Sequence, residues 1–138
     1  MDYMAQTSGV VQVIHTKNFN PEYDPKLLCT CGHPDCDKRS VNWHTLNQVQ
    51  RVREDYGQGM IVTSGGRCHN HPNEITKVAP GDHQKQYAVD IHYSTTVERN
   101  KLMVLAGRHG ATRVACGETF VHMAWTPTED RSVPSWEY

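Results

Sequence analysis

Two histidines and an aspartate most constrain what this chain folds into. His83 lies seven residues before Asp90, and His122 follows in a second apolar run. Two imidazoles and one carboxylate are a ligand set typical of catalytic zinc, whose fourth tetrahedral position stays open. Alternating apolar residues around Asp90 predict a strand, and His83 ends the loop before it. We therefore expect the three side chains to meet at the edge of one small sheet.

The length and composition of the chain fit a single domain. Its 138 residues suffice for one hydrophobic core, and a hydrophobic content of 37% predicts a modest core with many loops. The net charge of −1 gives no basis for binding polyanions, so nucleic acid is not an expected partner. No apolar run has the length of a membrane span. A membrane is therefore not an expected partner either.

The spacing of apolar residues predicts two helices. The first is expected over residues 40–56, with Ser40 as its N-cap and Gly57 directly after its end. The second is expected to begin near Thr95, because Glu98 completes a capping box with it.

Strands are expected between and after these helices. Besides the strand that carries Asp90, the pattern predicts strands over residues 60–63, 113–116 and 119–125. Residues 64–81 read as a long loop. Within it, Glu74 and Lys77 have helical spacing and predict an ion pair at the surface.

The chain also carries an ordered set of short motifs. They are Ser64-Gly65-Gly66-Arg67, Gly81-Asp82-His83, Ala88-Val89-Asp90-Ile91 and Phe120-Val121-His122. In this order they resemble the M15 peptidases, a family of zinc D,D-carboxypeptidases and phage endolysins that shares its fold with the hedgehog signalling domain. Residues 29–36 and the aromatic tail over residues 134–138 resemble the short phage-encoded branch of that family.

The resemblance implies an α+β fold of the D-Ala-D-Ala-peptidase/hedgehog type, with helices flanking a small antiparallel sheet. Residues 19–138 are interpreted as the M15-peptidase-like domain, and residues 1–18 as an N-terminal arm. The first residues lack the basic start and apolar core of a signal peptide. We therefore expect synthesis in a host cytoplasm and action at the cell wall or within a virion.

The activity that the resemblance implies is zinc-dependent cleavage of an amide bond in peptidoglycan stem peptides. His83, Asp90 and His122 would hold one Zn²⁺, which activates water. Arg67 would hold a carbonyl or carboxylate of the substrate, or support the metal site. The chain would then be a phage endolysin or a virion-associated murein hydrolase.

Three positions depart from the family pattern. Gln86 stands where the pattern has glycine, and Gly66 stands where it has an aromatic residue. Ala124 stands two residues after His122, where short members often have aspartate. These departures support a second hypothesis, in which a weakly active or inactive domain serves as a tail or capsid decoration protein. Its partners would then be other virion proteins.

Glu118 is the carboxylate nearest to the last ligand in the sequence. In one regular strand over residues 117–125, Glu118 and His122 share a face. Glu118 would then be the general base that takes a proton from the attacking water.

The cysteines form a separate candidate site. The candidate ligands for a structural zinc ion are Cys29, Cys31, Cys36 and Cys68, with His33 as an alternative fourth ligand. Two other interpretations stay open. The first is a disulfide, such as one between Cys36 and Cys68, and the second is reduced cysteines that only pack.

Overall fold

The computed structural model describes residues 14–127. The aromatic tail and most of the predicted N-terminal arm lie outside these residues. This part of the chain contains one 3-10 turn, two α-helices and four strands. They are the turn Pro25–Leu27, α1 Trp43–Tyr56, β1 Val62–Ser64, β2 Ala88–His92, α2 Thr96–Arg108, β3 Arg113–Cys116 and β4 Phe120–Ala124.

The four strands form one antiparallel sheet in the order β1-β2-β4-β3. Helix α2 packs against β3 and β4, and α1 packs against α2. The expectation of an α+β fold with a small antiparallel sheet is therefore confirmed. The predicted strand over residues 113–116 is observed as β3, whereas β1 and β4 begin later than predicted.

The N-cap of helix α1 lies two residues after the predicted one. Asn42 is the N-cap, and its side chain accepts a hydrogen bond from the Thr45 backbone N–H at 2.8 Å. The prediction of Ser40 as N-cap is wrong, because the backbone around Arg39 and Ser40 packs against Gly66 instead of turning into the helix. The helix ends as predicted, with Gly57 in the left-handed conformation at φ 73°.

Helix α2 begins with the predicted capping box. The backbone N–H of Glu98 donates to Oγ1 of Thr95 at 3.1 Å, and the Thr95 backbone N–H donates to Oε1 of Glu98 at 3.2 Å. The two contacts satisfy donors at the helix start that have no partner within the helix.

The hydrophobic core lies between the helices and one face of the sheet. Its fully buried members from these elements include Leu46, Val49, Val52, Val89, Ile91, Leu102, Val121 and Met123. In β2 the apolar residues alternate with Asp90, which directs the Asp90 side chain to the face opposite the core. The sheet thus has one face in the core and one face that carries the candidate site.

The described part of the predicted arm is bound to α1. Thr16 donates from Oγ1 to Oε1 of Gln50 at 2.7 Å, and Nε2 of Gln50 donates to Oδ1 of Asn18 at 2.7 Å. Within residues 14–127, no helix is long and apolar enough to cross a membrane.

Candidate metal centre

The register between β2 and β4 places two predicted ligands opposite each other. Asp90 and His122 are direct partners in this antiparallel pair, and directly opposed residues project from the same face of a sheet. His83 lies in the turn over residues 82–86, just before β2. All three residues are buried, with exposed fractions of 3%, 0% and 3% for Asp90, His122 and His83.

The three side chains form a compact triangle of ligand atoms, here termed the histidine–aspartate cluster. Nε2 of His83 lies 3.1 Å from Oδ1 of Asp90. Nδ1 of His122 lies 3.0 Å from the same oxygen and 3.2 Å from Nε2 of His83. A tetrahedral zinc ion with ligand distances of about 2.0–2.1 Å holds its ligand atoms about 3.3–3.4 Å apart. The triangle is therefore within a few tenths of an ångström of that size.

The outer nitrogen of each imidazole faces an acceptor from the protein. Nδ1 of His83 lies 2.7 Å from the Gly65 carbonyl oxygen, which only accepts hydrogen bonds. Nε2 of His122 lies 3.4 Å from Oδ2 of Asp82. When both rings are neutral, these contacts leave their unshared electron pairs directed at the Asp90 carboxylate. Such a set of donors fits a zinc ion between them.

Asp82 is a residue of the candidate site that sequence reasoning missed. Its carboxylate is buried, and Oδ1 accepts a hydrogen bond from Nη1 of Arg113 at 3.0 Å. A carboxylate that orients a metal-ligating histidine contributes to metal affinity almost as directly as a ligand does. The only signal in the sequence was an acidic residue directly before a candidate ligand.

The pKa values of the two histidines in the cluster are shifted in opposite directions. Burial lowers the pKa of His83, and the contact with Asp90 offsets this only in part. Burial also acts to lower the pKa of His122, but hydrogen bonds to Asp82 and Asp90 outweigh it and raise that pKa. Burial acts to raise the pKa of Asp90, but hydrogen bonds from both histidines hold it below its usual range. Of the two histidines, His122 is therefore the one whose proton competes with a bound cation.

The side chain of Arg67 lies between Asp90 of the histidine–aspartate cluster and the buried carboxylate of Glu74. Its Nη2 lies 3.6 Å from Oδ2 of Asp90, and its Nη1 lies 3.3 Å from Oε2 of Glu74. Nε donates to Oγ of Ser64 at 3.1 Å. Glu74 also pairs with Lys77 at 3.1 Å, but the Glu74 side chain has an exposed fraction of 0%. The prediction of a surface pair is therefore wrong for Glu74, which is buried against Arg67.

A cleft of about 660 Å³ opens beside the cluster. Arg67 and Asp90 line it, together with Lys77 and Phe120. Its wall thus combines one carboxylate of the metal centre with two cationic groups. This charge distribution suits a substrate that carries a carboxylate near the reacting bond.

A protein-family model matches the part of the chain that contains this site. The model, described as Peptidase M15, matches residues 21–124 of the 138 residues. The chain belongs to the M15 peptidase family. A search of curated proteins and a search of solved structures found no match. The M15 family consists of zinc-dependent peptidases, in agreement with the donor set, and the matched residues include the whole histidine–aspartate cluster and Arg67.

Two departures from the M15 pattern have a structural explanation. Gln86 has a φ of 70°, a left-handed conformation that glycine adopts without strain. At Gly66, a Cβ atom would lie 2.1 Å from the carbonyl oxygen of Arg39. The backbone before α1 thus occupies the space where the M15 pattern has an aromatic side chain.

Glu118 lies outside the cluster and the cleft. Strand β4 begins at Phe120, and the Gly117 backbone N–H donates to the Phe120 carbonyl oxygen at 2.8 Å. The chain therefore turns over residues 117–120, and Glu118 is exposed in that turn. One regular strand over residues 117–125, the condition under which Glu118 and His122 would share a face, is therefore not present. The catalytic role of Glu118 stays a prediction.

A second group of candidate ligand atoms, here termed the thiol cluster, consists of the sulfurs of Cys29, Cys31, Cys36 and Cys68. These four Sγ atoms lie within 4.8 Å of one another, and all four residues are free cysteines. Sγ of Cys31 lies 3.6 Å from Sγ of Cys68, whereas a disulfide bond measures about 2.05 Å. The structure thus brings Cys68 to the fourth position. Nδ1 of His33, the alternative ligand, accepts a hydrogen bond from the Asp35 backbone N–H at 3.0 Å.

Proposed function

We propose that the protein is a zinc-dependent peptidase that cleaves an amide bond in the stem peptides of bacterial peptidoglycan. The observation that supports this most is the triangle of ligand atoms in the histidine–aspartate cluster, beside a cleft lined by Arg67 and Lys77. In this proposal the domain has the D-Ala-D-Ala-peptidase/hedgehog type of fold. The two neighbouring cations suit the carboxylates of stem peptides.

The roles of the residues follow from their positions. His83, Asp90 and His122 would hold the zinc ion. When bound, zinc supplies a Lewis acid that activates water and polarises a carbonyl group. Arg67 is held by Glu74 and Ser64, so its guanidinium group is oriented before substrate arrives. It would bind a carbonyl or carboxylate oxygen of the peptide.

Proton transfer from the attacking water requires a general base. Glu118 remains the proposed general base, although it is exposed and is not among the residues that line the cleft. Ala124 is fully buried and pairs with Ala88, so that position offers no carboxylate. Catalysis through Glu118 would require the turn over residues 117–120 to move toward the cleft.

Among the described residues that line the cleft, Asp90 is the only carboxylate, and this favours a second candidate function. A domain that keeps the metal site without a general base in the cleft would serve as a structural or decoration protein of a phage tail or capsid. Its partners would be other virion proteins. As a peptidase, the protein would instead be a phage endolysin or a virion-associated murein hydrolase. In either role it would be made in the host cytoplasm.

The first experiment measures zinc by elemental analysis in the native protein and in Asp90→Ala. The proposal expects the variant to hold one equivalent of zinc less than the native protein. Equal zinc content would contradict a metal site at the histidine–aspartate cluster.

The second experiment measures release of peptides from purified peptidoglycan. The native protein should be active, Asp90→Ala inactive, and Glu118→Gln slowed while retaining its zinc. Glu22→Gln, another exposed glutamate, is the matched control and should keep full activity. A native protein that binds zinc at Asp90 and releases no peptide would favour the structural function.

A further inference from the structure

The thiol cluster joins two parts of the chain that are distant in sequence. Three of its cysteines lie between the turn Pro25–Leu27 and α1, and Cys68 lies in the loop after β1. Cys29 and Cys68 are buried, with exposed fractions of 2% and 1%. Four sulfurs around one zinc ion at about 2.3 Å are about 3.8 Å apart. The 3.6 Å between Sγ of Cys31 and Sγ of Cys68 is close to that value.

Backbone N–H groups are directed at all four sulfurs. Sγ of Cys36 accepts from the backbone N–H of Lys38 at 3.4 Å. The other three sulfurs also have backbone N–H donors, which are Cys31 and Cys68 for Cys29, His33 for Cys31, and Asn70 for Cys68. Donors of this kind stabilise thiolates relative to thiols. A zinc ion bound to the four sulfurs would hold them as thiolates and offset the repulsion among them.

We infer that the thiol cluster binds a zinc ion of its own, and that this ion positions Gly65 and Arg67 at the histidine–aspartate cluster. The first part is independent of peptidase activity. The second part rests on the metal site of the proposed function.

The positioning of Gly65 and Arg67 follows from the segment over residues 65–68, which ends at Cys68. The Gly65 carbonyl oxygen accepts from Nδ1 of His83 at 2.7 Å, and Nη2 of Arg67 lies 3.6 Å from Oδ2 of Asp90. Arg67 directly precedes Cys68 in the sequence. Holding Cys68 on a metal therefore restrains both groups that orient the ligands of the other site.

The backbone of the same segment is held from the other side by the cysteine-bearing loop. The Gly66 N–H donates to the Leu27 carbonyl oxygen at 2.9 Å, and the Cys29 N–H donates to the Arg39 carbonyl oxygen at 3.0 Å. Leu27 and Arg39 flank the three cysteines of this loop. A metal in the thiol cluster would close the loop and keep its backbone against Gly66.

Metal content separates the two sites. Cys31→Ser removes one sulfur of the thiol cluster, and Cys116→Ser is the matched control because Cys116 lies in β3, outside the cluster. By elemental analysis, Cys31→Ser and Asp90→Ala should each hold one equivalent of zinc less than the native protein. Cys116→Ser should equal the native protein. A Cys31→Ser protein with native zinc content would overturn the inference.

Two further measurements do not depend on whether Cys31→Ser folds. Cobalt(II) added to zinc-free Asp90→Ala should give the intense near-ultraviolet absorption of cobalt–thiolate bonds, and its absence would contradict the site. In the native protein with zinc, an alkylating reagent should modify Cys116 well before the other cysteines, and a strong chelator should abolish that difference. Equal reaction of all five cysteines with zinc present, or a disulfide detected by mass, would also contradict it.

The positioning role has its own test. The zinc affinity of the histidine–aspartate cluster, measured by competition with a chelator, should fall about 10- to 100-fold in Cys31→Ser, as expected when groups that orient ligands lose their support. Cys116→Ser should leave it unchanged. Unchanged affinity in a folded Cys31→Ser protein would overturn the positioning role. Peptidoglycan assays do not enter this test, so a failure of the proposed peptidase function would be seen separately.

Discussion

The imidazole of His122 is held between two carboxylates, and Asp82 holds its outer side. Nε2 of His122 lies 3.4 Å from Oδ2 of Asp82, while Nδ1 lies 3.0 Å from Oδ1 of Asp90. Asp82 is held in turn by Arg113 at 3.0 Å. Nδ1 of this buried ring therefore faces the other two candidate ligands, whereas Nε2 faces Asp82.

Replacing Asp82 should weaken metal binding without removing a ligand. We expect Asp82→Asn to lower the zinc affinity of the histidine–aspartate cluster by about 10- to 100-fold, because the amide does not stabilise the Nε2–H of His122 as a carboxylate does. The measurement is zinc competition with a chromophoric chelator. Asp55→Asn is the control, since Asp55 forms an exposed pair with His109 at 2.7 Å. An equal loss in both variants would refute a specific role for Asp82.

The contact between Asp82 and His122 could not be read from the sequence. It joins residues that are 40 positions apart, and nothing in local periodicity specifies which nitrogen of a histidine faces which partner. By contrast, the capping box of α2 was predictable because both of its hydrogen bonds are local. The meeting of Asp90 and His122 was also predictable, since both lie in short strands, but their exact register was not.

The buried carboxylate of Glu74 should matter for stability. Its side chain is fully buried and pairs with Arg67 at 3.3 Å and with Lys77 at 3.1 Å. We expect Glu74→Gln to lower the free energy of unfolding by about 1.5–3 kcal/mol, because it leaves a largely buried guanidinium group with a weaker partner. Lys77→Met should cost less than about 1 kcal/mol, because Lys77 is the exposed partner.

Urea unfolding of both variants measures this difference. Equal losses for Glu74→Gln and Lys77→Met would show that the pair acts as an ordinary surface ion pair. That was the expectation from the spacing of the two residues alone. The spacing does not predict the burial of Glu74, because Glu74 is buried against Arg67, which lies seven positions earlier in the sequence.

The backbone at Gln86 should gain stability from glycine. Gln86 adopts a left-handed conformation at φ 70°, which costs about 1–2 kcal/mol for a residue with a Cβ atom. Since glycine loses about 0.5–1 kcal/mol more conformational entropy on folding, we expect Gln86→Gly to raise the free energy of unfolding by about 0.5–1 kcal/mol. Gln58→Gly is the control, and it should lower stability because φ at Gln58 is not positive. The urea midpoint should rise in Gln86→Gly and fall in Gln58→Gly. A lower midpoint in Gln86→Gly would contradict the prediction.

The two departures from the M15 pattern therefore differ in kind. Gln86 keeps the left-handed backbone conformation that the glycine of the M15 pattern indicates, and this conformation is strained for a residue with a Cβ atom. Gly66 replaces an aromatic residue because the backbone of Arg39 and Ser40 lies against it, within 2.7 Å or less of an added Cβ atom. The conformation of Gln86 could be anticipated from the pattern, since glycine is the residue that most readily adopts a left-handed conformation. The departure at Gly66 depends on a contact between distant segments and could not.

Zinc affinity at the histidine–aspartate cluster should depend on pH through His122. Burial acts to lower the pKa of His122, but Asp82 and Asp90 outweigh it and raise the pKa above its ordinary value, which is about 6.5. Zinc must displace this proton. The affinity should therefore rise about tenfold per pH unit up to the raised pKa and level off above it.

The stability of the zinc-free protein should change with pH in the direction opposite to its zinc affinity. A raised histidine pKa stabilises the folded state below the ordinary pKa of about 6.5, and this contribution is lost as the pH rises through the raised value. Zinc-free protein should thus lose stability over the same range in which zinc affinity increases. Chelator competition and urea unfolding between about pH 6 and pH 8 measure the two trends. Asp90→Ala serves as the blank that accounts for zinc held by the thiol cluster. Zinc affinity that is constant over this range would mean that His122 is neutral in the zinc-free protein, and that Asp82 orients the ring through Nε2–H while Nδ1 carries no proton.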